Sequence, residues 1–430
     1  MGGIIIMKKS LLILLVSTML LIFTVSAAAE TTTLTFWTFQ ELHQQFLEKE
    51  VARWNENYPD NQINLEATVY PYDQMHNKLL IALQSGVGAP DMADIEISKF
   101  ANYLKGSNPQ LVPMNDVVEP LMDKMIKARF TNYAKNGNYY GVPYHVGATV
   151  MYYNMEMMEA AGVDIDKIVT WDDFVEAGKK VKDATGKPMT TVEVTEHWTL
   201  YPMISQIGSD IFAEDGSVIL DNEKNERVLT FIDDMVHESE IAVPAPGGFH
   251  HSEEYWNFMN NEGAASLMMP LWYMGRFVQY MPDLKGKMAI RPLPVWNKGG
   301  NRSAGMGGTG TVVTIQSDQQ QLAKEFLAEA KLSVEASHKL WTELGFDPVR
   351  WGVWDDPIMS EPNQYTEYFR NDDIFGMLLE IRDEINPTMV TEQYPKAIDL
   401  LKKNVSFKVI KQQSHTPAEA LKEAAEELRN

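Results

Sequence analysis

Leu34-Thr35-Phe36-Trp37, Ile63-Asn64-Leu65-Glu66-Ala67-Thr68-Val69 and Ala93-Asp94-Ile95-Glu96-Ile97 are the runs whose order decides the fold. Each reads as a short strand, apolar or alternating with period two. Between the first two, Leu42, Phe46, Val51, Trp54 and Tyr58 recur at roughly helical spacing until the turn Tyr58-Pro59-Asp60-Asn61. A second helix is expected over 74–84, followed by the loop 85–91. Strand, helix, strand, helix, strand implies crossovers packed on a largely parallel sheet, an α/β architecture.

The pattern restarts further on. Residues 149–153 read as a strand, and Thr170-Trp171-Asp172-Asp173 is a capping box opening a helix to about residue 183. Helices are expected over 222–238 and 253–261, strands over 264–269, 288–292 and 310–315. Ser317 with Gln320 is expected to cap a helix reaching about residue 331, and the last hundred residues read as mostly helical. With 430 residues, the chain exceeds what one core holds, so two lobes are expected. No low-complexity linker separates them, which implies that the chain crosses between lobes more than once.

Lys8-Lys9, an apolar run over 11–25 and Ser26-Ala27-Ala28-Ala29 have the order of a secretory signal, with cleavage expected after Ala29. The run is shorter than the ~20 residues a spanning helix needs. Hydrophobic content of 45% with 22% charged residues is a globular balance, so a soluble mature chain is expected. The absence of cysteine excludes disulfides, thiolate metal sites and a lipid-anchor cysteine, and favours a periplasm. Net charge is −22, and −24 once Lys8 and Lys9 are gone, which argues against nucleic acid or anionic lipid as a partner.

Ligands of parallel sheets bind beyond the carboxyl ends of strands. Those ends supply Thr38, Phe39, Gln40, Glu41 and His43, then Glu96 and Ser98, then Trp272, Tyr273 and Arg276, with Tyr144 and His145 at the crossover. Aromatic rings cover the C–H faces of a sugar while planar polar groups take its hydroxyls, so the set suits a carbohydrate. Any one Trp or Tyr is more often core packing; the cluster is the better signal. The glycine-rich segment 305–310 lacks the Gly-Lys-Ser/Thr ending of a phosphate loop and suits close backbone approach instead. His250-His251 with Glu253-Glu254 lacks a metal-binding spacing and reads as a surface loop or ligand rim. Neither a metal nor a cofactor is expected. No Gly-x-Ser-x-Gly elbow is present, and plentiful carboxylates do not by themselves place a glycosidase pair.

Several motifs resemble, in order, the extracellular solute-binding proteins, family 1, of sugar ABC importers. They are Leu34–Trp37, 85–91 with Ala93-Asp94, Tyr140-Gly141-Val142-Pro143-Tyr144, Met151-Tyr152-Tyr153-Asn154, Ala160-Ala161-Gly162 and Thr170–Phe174. Gly263-Ala264-Ala265 with Trp272-Tyr273, and Leu322-Ala323-Lys324-Glu325-Phe326-Leu327, complete the series. Segments 71–76, 244–255, 272–287 and Gly345-Phe346-Asp347-Pro348-Val349-Arg350-Trp351 further resemble the branch serving arabinose and arabino-oligosaccharides.

The resemblance implies a two-lobed periplasmic-binding-protein fold of type II, each lobe a mainly parallel sheet flanked by helices, with the ligand cleft between them. Residues 30–144 and 288–333 would form lobe one, 145–287 and 334–430 lobe two. Expected ligand contacts, carried over position by position, are Phe39 or Gln40, Asp73, Glu96, Tyr144, Trp272 and the loop of Gly305 and Gly307. Arg350 and Trp351 are additions, and His145 and Tyr273 come from the strand ends. The chain would act as a monomer without catalysis, closing on sugar and presenting it to a membrane permease. Alternatives are a maltodextrin, xylo-oligosaccharide or polyol ligand, a sensory role at a receptor kinase, and a secreted glycoside hydrolase.

Overall fold

Alternation in Thr32–Thr38 makes β1, which buries Leu34, Phe36 and Thr38 on one face. Helix α1, Glu41–Asn57, turns Phe46, Leu47, Val51 and Trp54 inward. Ile63–Val69 is β2, Tyr72–Ser85 is α2 and Met92–Glu96 is β3. Both β2 and β3 pair parallel to β1, as the crossover pattern requires. This computed structural model describes residues 31–430 apart from Ser107, Asn371, Asp372 and Pro387, so the secretory signal read at 1–29 lies outside the described residues. No helix among the described residues is long and apolar enough to cross a membrane.

Gly141–Pro143 forms β4, after which residues 144–148 carry the chain to a second sheet. There Thr149–Asn154, β5, is buried along its whole length, with Ser266–Pro270, β6, and Met288–Arg291, β7, on its flanks. Pro270 is tolerated because β6 is an edge strand. Residues 292–308 return the chain, and Thr309–Val313, β8, completes the first sheet in the order β2-β1-β3-β8-β4.

Two expectations change here. The second sheet is antiparallel at both pairings rather than mainly parallel, and residues 288–291 pair with β5, not with lobe one. A strand buried on both faces carries no alternation, and its apolar run is silent about the direction and identity of its neighbours. Helix α3, Trp171–Thr185, starts at the expected capping box of Thr170 and Asp173. Helix α4, Gln320–Leu332, packs on α1 and the first sheet. Its N-cap is Gln319, without a side-chain bond, while the Ser317 hydroxyl donates to Asp91 Oδ1 at 2.5 Å.

The two crossing segments bind each other. Thr149 N donates to Ala304 O at 2.8 Å and Met306 N donates to Gly147 O at 2.9 Å. A third segment joins through Asp347, whose fully buried carboxylate accepts from Gly147 N at 3.1 Å and Ala148 N at 2.8 Å. The sheets are therefore linked by a hydrogen-bonded ribbon, not by a loose tether.

Candidate ligand-binding site

One wall grows from the ends of β1, β3 and the start of α2. Phe39 follows β1 and meets the rings of Tyr72 and His76, each at 5.1 Å. The Tyr72 hydroxyl donates to Glu96 Oε2 at 2.9 Å. Glu96 ends β3 and caps the short helix Ile97–Phe100, where Oε2 also accepts from Ser98 N at 2.9 Å and from the Ser98 hydroxyl. Among the described residues Glu96 Oε1 accepts no hydrogen bond. His76 Nε2 accepts from Glu96 N at 3.1 Å while Nδ1 faces Tyr72 O at 2.8 Å, which fixes a neutral ring with its proton on Nδ1. Burial holds its pKa below the ordinary value, in agreement with that tautomer.

The opposite wall is aromatic. Trp198 meets Trp272 edge to face at 5.3 Å and 79°, and His251 lies 5.6 Å from Trp198 and 5.5 Å from Trp272. All three are half-buried. Trp272 Nε1 donates to Met306 O at 3.3 Å, tying this wall to the crossing ribbon. Tyr273 lies beneath, fully buried, its hydroxyl donating to His250 O and accepting from Trp256 Nε1 at 3.1 Å. His145 sits behind Trp272 at 6.4 Å, buried against Phe346 at 4.9 Å. Burial, with Arg129 and His43 nearby, pushes the His145 pKa far down and keeps the ring neutral.

The glycine loop runs between the walls. Gly308 O accepts from Ile97 N, next to Glu96, at 2.9 Å. A Cβ on Gly307 would sit 2.9 Å from the Trp198 ring and 3.5 Å from that of Trp272, so only glycine lets the loop approach both. Gly305 pairs with Ala148 inside the ribbon.

Other candidates fall outside this arrangement. Tyr144 is fully buried, stacked on His43 at 4.0 Å and 16°, with Lys331 Nζ 3.3 Å from its ring centroid. His43 Nδ1 in turn lies 2.8 Å from Asp94 Oδ2, so Tyr144 belongs to a buried polar network beneath the first wall. Arg350 points away, donating to Leu332 O at 2.8 Å in a separate cavity of about 460 Å³ shared with Trp54 and Tyr58. Trp351 lies under the Arg382 guanidinium at 5.0 Å. Asp73 is exposed, 3.8 Å from Lys99, and Gln40 is the half-buried N-cap of α1. A second cavity, about 830 Å³ and lined by Trp171, Phe231 and Trp296 among others, shares no residue with either wall. Among the described residues no group of three or more His, Asp or Glu is placed to hold a metal ion. Trp198 and Tyr72 escaped the strand-end search. Tyr72 starts a helix, and Trp198 sits in a loop before the helix Leu200–Gln206. The pair His250-His251 was the visible trace of the second wall.

A model of the family described as bacterial extracellular solute-binding protein matches residues 40–331. The chain belongs to that family. This solute-binding protein is 55% identical over 397 residues to the arabinooligosaccharide-binding protein of Halalkalibacterium halodurans, covering 92% of this chain and 89% of that one. It is 53% identical over 399 residues to the arabinooligosaccharide-binding protein of Bacillus subtilis, covering 93% and 92%. In three dimensions it matches the maltose-bound MalE3 of T. maritima with a TM-score of 0.74 at 20% identity, over 93% of this chain and 99% of that one. The fold is thus the two-lobed α/β arrangement of type II binding proteins.

Proposed function

We propose that this solute-binding protein captures arabino-oligosaccharides outside the cytoplasmic membrane and delivers them to the permease of a sugar ABC importer. The observation that carries the reading is the pairing of two unlike walls across the glycine loop. Trp198, His251 and Trp272 offer ring surfaces, while Glu96, braced through Oε2 by Tyr72 and Ser98, keeps Oε1 for a sugar hydroxyl. Rings take the C–H faces and a braced carboxylate orients hydroxyls, the division of labour a saccharide requires. Identity above half to two arabinooligosaccharide-binding proteins over nine-tenths of the chain supports the choice of sugar.

The first lobe comprises residues 31–143 and 309–333, the second 149–291 and 334–430, with 144–148 and 292–308 as hinge. Sugar touches both walls only in the closed form, so its differential affinity draws the lobes together and the closed surface is what the permease reads. No covalent step is involved. The protein works as a monomer in the periplasm, with residues 1–29 as its export signal.

Thermal unfolding of the chain from Glu30 against arabinose, arabinobiose, arabinotriose, xylobiose and maltose tests the reading. A bound ligand at ~100 times its Kd adds ~2.7 kcal/mol of stability. A raised midpoint with the arabinose series alone is expected; a rise only with another sugar reassigns the ligand, and a folded protein indifferent to all five refutes the reading.

A further inference from the structure

Glu193 follows the short strand Thr190–Val192 and lies under the aromatic wall with its carboxylate fully buried. Its two oxygens serve different loops. Oε2 accepts from Trp198 N at 2.9 Å, and Oε1 accepts from His250 N at 2.9 Å. Two more bonds run in parallel, from Val194 N and Thr195 N to Gly248 O at 3.0 and 3.2 Å. One loop presents Trp198 and the other His251, so this side chain is the clasp between the rings that face Trp272.

No Lys or Arg among the described residues lies within ion-pair distance of Glu193; its neighbour is the imidazole of His250, with Nδ1 3.4 Å from Oε1. That Nδ1 is buried and has no other partner, while Nε2 meets the Thr191 hydroxyl at 3.0 Å, which meets the Tyr255 hydroxyl at 2.9 Å. Burial depresses the His250 pKa far below its ordinary value, so the ring is neutral and supplies no compensating charge. At 3.4 Å the two groups touch without a hydrogen bond, and only a protonated Glu193 leaves no uncompensated charge in the site.

We propose that Glu193 is a positioning residue for ligand binding: buried beside a neutral imidazole and no cation, it clasps the Trp198 and His251 loops into one wall. The inference rests on the cleft reading for its effect on affinity, but the clasp itself exists without ligand. Burial, reinforced by the Glu196 carboxylate, pushes the Glu193 pKa up to about 8, against the lowering effect of the two backbone donors and the Lys402 ammonium. Glu196 is itself paired with Lys402 at 2.8 Å and lies 3.5 Å from His197; the remaining titratable groups nearby are His251, Tyr255 and Tyr273. Ionisation would leave a charge without a cation in the assembled wall, at a cost that outweighs the firmer bonds from the two backbone donors, so the loops part and affinity falls as pH rises through that value. If only the protonated form binds, apparent affinity drops about tenfold between about pH 7 and about pH 9.

The test follows the near-ultraviolet circular dichroism of the ligand-free protein, whose tryptophan bands report the packing of all ten tryptophans, Trp198 and Trp272 among them, across this pH range. Wild type and Glu193→Gln are compared, with arabinotriose titrated at both ends of the range. A transition near the Glu193 pKa that is absent from the Gln variant, with the tenfold loss in wild type and less than a twofold change in the variant, supports the inference. A flat wild-type dichroism profile, or a transition that survives in the variant, overturns it whatever the sugar does. Sugar binding that is independent of pH also overturns it. A dichroism transition with no sugar bound at either pH upholds the clasp and refutes the ligand reading instead. If the variant does not fold, the wild-type profile decides alone.

Discussion

Trp198 and Trp272 form the contact on which the second wall turns, and each is only half-buried although full burial of so large an apolar ring is favourable. A sugar face would complete that burial. Truncating either, Trp198→Ala or Trp272→Ala, is expected to weaken arabino-oligosaccharide binding by roughly ten- to a hundredfold, measured by titration calorimetry. Arg350→Ala, whose guanidinium reaches Leu332 O away from both walls, is expected to leave affinity within about twofold. The place of Trp272 could be read because it follows an apolar strand ended by a proline. Tyr144 looked equally strong at the crossover, yet its burial is decided by Lys331 and His43, partners remote in sequence. Spacing along the chain reports position at a strand end; it does not report which face of a ring is already covered.

At the scale of elements, the ribbon of crossing segments limits what substitution can do. Gly147 has φ +72°, and a Cβ there would collide with the Met306 carbonyl oxygen. Gly86 has nearly the same φ, +73°, but open space around it. Gly86→Ala is therefore expected to cost only the backbone strain, ~1 kcal/mol, whereas Gly147→Ala adds the clash and parts the ribbon. Comparing their thermal midpoints isolates the contact, and equal losses would remove the ribbon from the account. Local chemistry such as the Thr170 and Asp173 capping box could be read directly, because both partners lie within one turn. The antiparallel second sheet and the placement of residues 288–291 could not, because strand direction is set by where the chain arrives from.

Over the whole molecule, the crossovers of residues 34–97 and the lack of a linker made two α/β lobes legible, and the motif series gave the family. The division of labour between walls was only half legible. Phe39 and Glu96 of the first wall follow strands the sequence pattern marks, while the loops carrying Trp198 and His251 are held by Glu193 from below. On the proposed reading, one arabino-oligosaccharide lies between these walls. Calorimetric titration of the chain from Glu30 with arabinotriose, set beside maltotriose under the same conditions, tests it most directly. Saturable binding of one arabinotriose per chain is expected, with maltotriose at least tenfold weaker; equal affinity for the two, or no heat from arabinotriose with a folded protein, would overturn the reading.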